Sequence, residues 1–336
     1  MPRSVTLLDV ARRAKVAKST ASRALSNPGR INGKTAARVV KAAAELNYVS
    51  HGVARALTTR STRTIGAVIP TLDNAIYAVS THSLEQRLQK AGYLLLVASH
   101  EFDLQAETRA VEALITRGVD AVALVGLKHR RRTLDLLDRA QVPYVLTWNY
   151  RRGRQPAIGF DNREAGMLVA DHLLALGHRH FGVIAGITKD NDRALARVQG
   201  LRARLARAGI ALRPECVVEK SYSIESGRAG LATLLERDAK ITAILCGNDI
   251  LAIGAMHEAR SRGLDVPRDV SITGFDDMPL ASVTNPPLTT VHLPMAEVGR
   301  HAAEYLLSVL ASAGSSVREE LPVRLVVRGS TAKPPR

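Results

Sequence analysis

Along most of the chain, short uninterrupted apolar runs alternate with longer stretches in which apolar residues return every three or four positions. The runs are IGAVIP (65–70), YLLLVAS (93–99), AVALVG (121–126), PYVLTW (143–148), HFGVIAG (180–186), ITAILCG (241–247) and VSITGF (270–275). Runs without alternation predict strands buried on both faces, as in parallel sheets. The stretches between them (75–91, 107–117, 163–176, 194–208, 226–235 and 249–262) have the helical period. About a dozen βα units are more than one doubly wound sheet accommodates, so residues 65–336 are expected to form two α/β lobes. A small molecule would then sit between the lobes, outside the carboxyl ends of the strands.

Before residue 65 the pattern is different. Two short helical patterns, 7–14 and 18–25, are separated by Lys15, Val16 and Ala17, about the turn length of a helix-turn-helix. Ala11 and Val16 are small enough to let the helices cross closely. Lys18 and Ser19 open the second helix, and Ser19, Thr20, Ser22 and Arg23 fall on a polar face that can meet phosphates or base edges. A third helix, 33–46, is expected to bury Ala37, Val40, Ala44 and Leu46 against the first two. Residues 1–48 therefore read as an all-α helix-turn-helix headpiece.

Charge supports this division. The chain has 47 Lys+Arg against 31 Asp+Glu, a formal +16, and residues 1–64 hold thirteen of those bases opposed only by Asp9 and Glu45. A field that concentrated favours a polyanion and supplies salt-dependent affinity through counterion release. A merely solvated basic face, or an arm that coats RNA, would show the charge without the helix-turn-helix. Double-stranded DNA is the expected partner.

Residues 49–64 are a hinge candidate. Ser50 can cap a short helix, and Ala54, Arg55, Ala56 and Leu57 favour helix. So short a helix is marginal alone and would fold only when docked. Leu57 is the kind of apolar wedge that minor-groove proteins insert between base pairs. An ordinary frayed linker is the alternative.

The ordered set VTLLDVARRAKVAKSTASRAL, LNYVSHGVARAL, IGFDNREAG, LGHRHFGVIAG, GNDILAIGAM, SITGFDDMPLAS and NPPLTTV resembles the lac repressor family of bacterial transcription regulators over nearly the whole length. The resemblance implies a periplasmic-binding-protein-like core whose chain crosses between lobes near Asp161, Val291 and Leu321. The N-lobe would then comprise about 65–160 and 292–320, and the C-lobe about 161–291 and 321–330. Two departures concern the hinge. Ser50 stands where the family usually has a proline, and Gly52 should cost a hinge helix about 1 kcal/mol relative to Ala.

Candidate DNA contacts are Thr6, Lys18, Ser19, Thr20, Ser22, Arg23, Arg30, Asn32, Thr35 and Tyr48, with Ala54, Arg55 and Leu57 from the hinge. Strand-end geometry nominates Thr71, Asp73, Asn74, Trp148, Asn149, Phe160, Asp161, Asn248, Asp249, Asp276 and Asp277 for the cleft. The resemblance favours Asn248 and Asp276 among these and adds Arg197 and Tyr222. Each has a plainer alternative: Asn248 and Asp249 can cap a helix, Asp277 can pair, and Trp148 can be core.

Several classes are excluded. No apolar run approaches the 18 or so residues of a membrane span, and the N-terminus lacks an apolar export segment. Cys216 and Cys246 have no metal or redox spacing, so a reducing cytoplasm is expected. No P-loop, GxSxG, HExxH or GxGxxG marks an enzyme, and neither a cofactor nor a metal is expected. His178 and His180 lack companion ligands, and the basic run 128–132 reads as a solvated helix start. A solute-binding protein for uptake would share the two lobes but has no use for residues 1–60. A DNA-architectural protein would leave the large core unexplained. The expected function is a regulator that binds a palindromic operator as a homodimer and is released by a sugar or sugar-acid effector. The stretch RGSTAKPPR after Val327 is too short for a coiled coil, so no tetramer bundle is expected.

Overall fold

The computed structural model describes residues 5–26, 28–48, 61–151, 153–311 and 316–335. The chain divides into two compact units, residues 1–62 and 63–336. Hinge residues Ser50, Gly52, Ala54, Arg55 and Leu57 lie outside the described residues.

The first unit holds α1 (Leu7–Arg13), α2 (Lys18–Ser26) and α3 (Gly33–Glu45). A capping box starts α1: the Asp9 carboxylate accepts the Thr6 N–H at 2.9 Å and its hydroxyl at 2.6 Å, while the Asp9 N–H donates to Thr6 Oγ1 at 3.4 Å. The helix stops where Lys15 turns left-handed (φ 52) and the Val16 N–H reaches back to Ala11 O at 3.0 Å. Val10, Ala11, Ala14, Ala21, Ala24, Ala36, Val39, Ala42 and Ala43 form the core. The buried stripe of α3 is therefore shifted by one residue from expectation. Ala36, Val39 and Ala43 face inward, Ala37 and Ala44 face out, and Val40 is 52% exposed. An alanine-rich helix offers two apolar stripes of equal spacing, and packing against α1 and α2 selects between them.

The second unit contains two six-stranded sheets. The first has the order β11-β5-β4-β3-β1-β2, with β1 (Thr64–Ile69), β2 (Leu94–Ser99), β3 (Ala121–Val125), β4 (Tyr144–Thr147), β5 (Ala157–Gly159) and β11 (Arg318–Glu320), all paired parallel. Its helices are α4 (Ala75–Lys90), α5 (Leu104–Thr116), α6 (Arg131–Arg139) and, late in the chain, α11 (Met295–Ala311), which packs on α4. The second sheet has the order β12-β10-β9-β8-β6-β7, with β6 (Phe181–Gly186), β7 (Val217–Lys220), β8 (Ala243–Cys246), β9 (Ser271–Asp276), β10 (Thr289–His292) and β12 (Arg324–Val326). Only the β10–β12 pairing is antiparallel. Helices α7 (Asn162–Ala175), α8 (Asp192–Arg207), α9 (Ile224–Arg237) and α10 (Asp249–Ser261) belong to this lobe.

The chain passes from the first lobe to the second between β5 and α7, returns between β10 and α11, and leaves again between β11 and β12. Strands β5, β7, β10, β11 and β12 are three or four residues long and, unlike the equally short β4 and β8, lie in no long apolar run. β2 departs from the expectation of double burial, with Leu94 64% and Val97 40% exposed, because it is an edge strand. Helices α7 and α8 touch backbone to backbone: a Cβ on Gly166 would strike the Arg197 carbonyl and one on Gly200 the Arg163 carbonyl. That contact sets Arg197 against the start of α7.

Candidate functional site

A cavity of about 440 Å³ lies between the lobes. Its walls are the turns that follow the strands: Thr71, Asp73 and Asn74 after β1, Glu101 and Phe102 after β2, Ile187 and Asn191 after β6, and Lys220, Ser221 and Tyr222 at the end of β7. Ala75 at the start of α4, Ile250 at the start of α10 and Met278 after β9 complete it. The Phe102 and Tyr222 rings stand 6.2 Å apart across the cleft. Asn191 steadies Tyr222 by donating to its hydroxyl at 3.3 Å, and the Tyr222 ring lies so close to Gly186 that no side chain would fit there. Asn74 caps α4 through its Oδ1, which accepts from the Ile76 N–H at 3.3 Å.

Beneath the wall formed by the second lobe lies a buried polar group. Arg197 donates from Nε to Asn162 Oδ1 at 2.9 Å and from a terminal nitrogen to Gly247 O at 2.7 Å, with its guanidinium over the Phe275 ring. Asp276 is fully buried at the end of β9 in a left-handed conformation (φ 108), 4.0 Å from Arg197. Among the described residues, neither Asp276 carboxyl oxygen has a hydrogen-bond partner, and neither does the amide nitrogen of Asn248. Burial pushes the Asp276 carboxyl well above the carboxylate range, against the pull of Arg197. Asn248 is also the N-cap of α10: its Oδ1 accepts from the Leu251 N–H at 2.9 Å. Capping and ligand binding are thus compatible, one through oxygen and the other through the unpaired NH2.

Asp249 is structural. It accepts the Thr290 hydroxyl at 2.5 Å and the Met278 N–H at 2.7 Å, and burial pushes its carboxyl up to about 7. Asp277 accepts from Arg328 at 2.6 Å and pairs with His292 at 2.9 Å, and these partners outweigh partial burial to hold its carboxyl low. Asp161 caps α7. With Glu164 and Glu320 it forms the one group among the described residues that is close enough to hold a metal ion, and Glu164 and Glu320 are exposed.

Of the expected cleft residues, Thr71, Asp73, Asn74 and Tyr222 line the cavity; Arg197, Asn248 and Asp276 lie beneath its wall, and Trp148, Phe160 and Asn149 are placed elsewhere. Trp148 is 2% exposed: it turns left-handed (φ 70) where β4 ends, and its ring packs on Tyr77 at 4.7 Å and Phe160 at 6.3 Å. Phe160 is wholly buried in the same cluster. Asn149 donates to Asp192 at 2.6 Å, a contact between lobes. The basic run 128–132 is only partly solvated: Arg131 is exposed, but the His129 side chain is fully buried against Glu107. His178 bonds to Thr242, Ser271 and Ala332 O and is structural. Sequence reasoning missed Phe102, Asn191, Asp192 and Arg193. Applying the strand-end rule to β6 and β2, as it was applied to other strands, would have found them.

In the headpiece, Lys18, Ser19 and Arg23 are exposed on one side of α2, with Thr20 and Ser22 half-buried beside them and Ala21 and Ala24 opposite in the core. Arg23 folds back to donate to Ser19 O at 3.3 Å. Thr6 and Asn32 spend their side-chain oxygens as helix caps. Arg30 is exposed, whereas Thr35 and Tyr48 are half-buried. Asp9 is held by Thr6 and Glu45 by Arg13 at 2.8 Å, so both acidic groups of the described headpiece are engaged.

Residues 6–51 match the model for bacterial regulatory proteins of the lacI family, and residues 170–331 match the periplasmic binding protein-like domain. The HTH-type transcriptional repressor CytR of Escherichia coli (strain K12) is 31% identical over 331 residues, covering 98% of this chain and 96% of that protein. The lac repressor dimer bound to operator and the anti-inducer ONPF superposes with a TM-score of 0.87 at 27% identity, covering 98% of this chain and all of that one. The transcriptional regulator CelR in complex with cellobiose superposes with a TM-score of 0.72 at 28% identity, covering 97% and 99%.

Proposed function

Because the chain belongs to the lacI family of bacterial regulatory proteins, and is thus a ligand-responsive DNA-binding regulator, we propose that it is a dimeric repressor released from a palindromic operator by a neutral, hydroxyl-rich effector. Two copies would place two α2 helices over matching half-sites. The apolar side chains left exposed on α4 and the edge strand β2 (Val79, Leu94 and Val97) offer a surface for that pairing. The candidate DNA contacts of the headpiece and hinge would read and kink the site, and a change of angle between the lobes would alter headpiece spacing. About 1–3 kcal/mol of coupling suffices to switch occupancy. The regulator would act in the cytoplasm, and no helix among the described residues is long and apolar enough to cross a membrane.

The observation that carries the ligand site is the buried Asp276 carboxyl and Asn248 amide nitrogen without hydrogen-bond partners among the described residues, flanked in sequence by Met278 and Ile250 of the cavity wall. Such groups cost free energy unless something meets them. A sugar acid fits less well than a neutral sugar. Arg197 is already bonded, Arg193 is paired with Asp192, and the charged residues of the cavity wall are Asp73, Glu101 and Lys220. The cellobiose bound to CelR agrees in class. The test is a panel of neutral mono- and disaccharides, nucleosides and sugar acids, scored by calorimetry and by release of a labelled operator. Release by neutral sugars supports the reading; release by acids alone overturns the effector class, and tighter operator binding overturns induction.

A further inference from the structure

We propose that residues 126–129 of the first lobe and 190–193 of the second form a clasp that biases the cleft toward closure before any effector arrives. The first half follows β3 and the second opens α8. Every residue of the first half has a part in it. Gly126 (φ 99) leaves the space that Asp192 and Arg193 occupy, where any Cβ would collide with both side chains. The Leu127 N–H donates across the cleft to Asp192 Oδ2 at 2.8 Å, and Asn149 Nδ2 donates to the same oxygen at 2.6 Å. Arg193 donates to the other carboxylate oxygen at 2.9 Å. Lys128 pairs with Asp190 at 2.8 Å nearer the surface.

His129 fixes this half from behind. Its Nδ1 faces the two Glu107 oxygens at 2.9 and 3.0 Å, and its Nε2 donates to Gly126 O at 3.0 Å. Gly126 O and the Leu127 N–H are opposite edges of one peptide group. Its oxygen is held by His129, and its N–H is held by Asp192 of the other lobe. The result is a continuous chain of polar contacts, Glu107 to His129 to peptide to Asp192 to Arg193, running from α5 to α8. Each link polarises the next, so removing one member weakens its neighbours as well. Glu107 and His129 act here as positioning residues that touch neither the cavity nor DNA.

The clasp shares a turn with the ligand wall. Asn191, between Asp190 and Asp192, lines the cavity and holds the Tyr222 hydroxyl. Closing the clasp therefore sets one wall of the site.

The Leu127 amide reports the closed state directly, because its hydrogen-bond partner lies on the other lobe. Residue-resolved hydrogen exchange on the full-length protein, with no ligand added, should show Leu127 exchanging at least about tenfold more slowly than Arg130. Asp192→Ala and Gly126→Ala should each remove most of that protection and increase the radius of gyration, with the amides of β3 unchanged. Lys128→Glu, at the surface, carries little risk to folding. It should speed Leu127 exchange several-fold, and Asp190→Lys in combination should restore it. Leu127 exchanging as fast as Arg130 in the unmutated protein would overturn the clasp. Unchanged exchange and unchanged radius in both Gly126→Ala and Lys128→Glu would do the same.

Discussion

The headpiece and the core bury opposite things. Among the described residues, seven of the nine buried core side chains of the headpiece are alanine. Its acids are engaged locally, and its described bases are exposed. The core unit buries Asp249, Asp276, Arg193, Arg197 and Glu107 and leaves Asp276 and Asn248 short of partners. The difference follows from the two targets. A polyanion is attracted at range through water, so exposed charge on a small rigid frame is enough. A small molecule offers few contacts, so each must be made by a desolvated group kept unpaired until it comes. One unit is built for charge at the surface, the other for polarity within.

The strongest way to break this division is Val39→Asp. Val39 has no exposed surface, and a carboxylate there would be buried among the apolar side chains of the headpiece core. Operator binding should fall by about a thousandfold or more, while the core's calorimetric transition stays where it is. A matching drop in the core transition would show that the two units do not fold independently. Next in size is the pH response of the core. Burial lifts Asp249 to about 7 from an ordinary 3.8, so between those values the folded state keeps a proton that the unfolded state has lost. The associated stability is complete below about pH 4 and is lost as pH rises through 7, on the order of 2–4 kcal/mol. Asp276 is shifted in the same direction. The melting temperature of the unmutated protein should fall between about pH 5 and pH 7.5 relative to Asp249→Asn. Parallel pH profiles would remove Asp249 from the account.

Asp276→Ala sharpens the comparison from the ligand side. Removing one side of a buried polar contact and leaving the other unsatisfied costs about 1–3 kcal/mol, so effector response should fall by about one to two orders of magnitude while operator affinity holds. The same change deletes an unsatisfied buried carboxyl, so the core should melt at a higher temperature. A gain in stability with a loss of response is the signature of a group kept for binding. A variant that is destabilised and still responds fully would make Asp276 structural.

The legible parts of the molecule were those that a single period or spacing reveals. Seven apolar runs became strands, six of them buried along most of their length and one, β2, a half-exposed edge, and the headpiece followed from three residues of turn between two helical patterns. The strand-end rule located Thr71, Asp73 and Asn74 in the cavity wall, and the resemblance added Tyr222. What escaped notice depends on direction. The face of α3 could not be chosen between two alanine stripes. Trp148 ends a strand like a ligand residue but turns back into the core at a positive φ, which no composition signals. His129 looked like part of a solvated basic run, and its partner Glu107 is 22 residues away. Contacts between lobes, such as Asn149 with Asp192, require two strand ends to be read together.

The smallest predicted effect tests whether the headpiece carboxylates are there for the fold or for the field. Glu45 holds Arg13 across α1 and α3 at 2.8 Å, with the two side chains 37% and 60% exposed. An exposed pair of this kind is worth about 0.2–1 kcal/mol, so Glu45→Ala should barely move the headpiece transition. Its electrostatic effect runs the other way. One of the two negative charges opposing the thirteen bases of residues 1–64 disappears, and Arg13 is freed. If Arg13 then reaches a phosphate, non-specific DNA affinity rises, and the slope of log K against log salt steepens by about 0.9. The measurement is a salt titration of both proteins on a duplex without operator sequence. A steeper slope with near-native stability means that Glu45 tempers the field and spares the protein from unselective binding. An unchanged slope with more than about 1 kcal/mol of lost stability would mean that the pair fastens α1 to α3. In that case surface charge would be structural in this unit as well, and the contrast with the core would narrow.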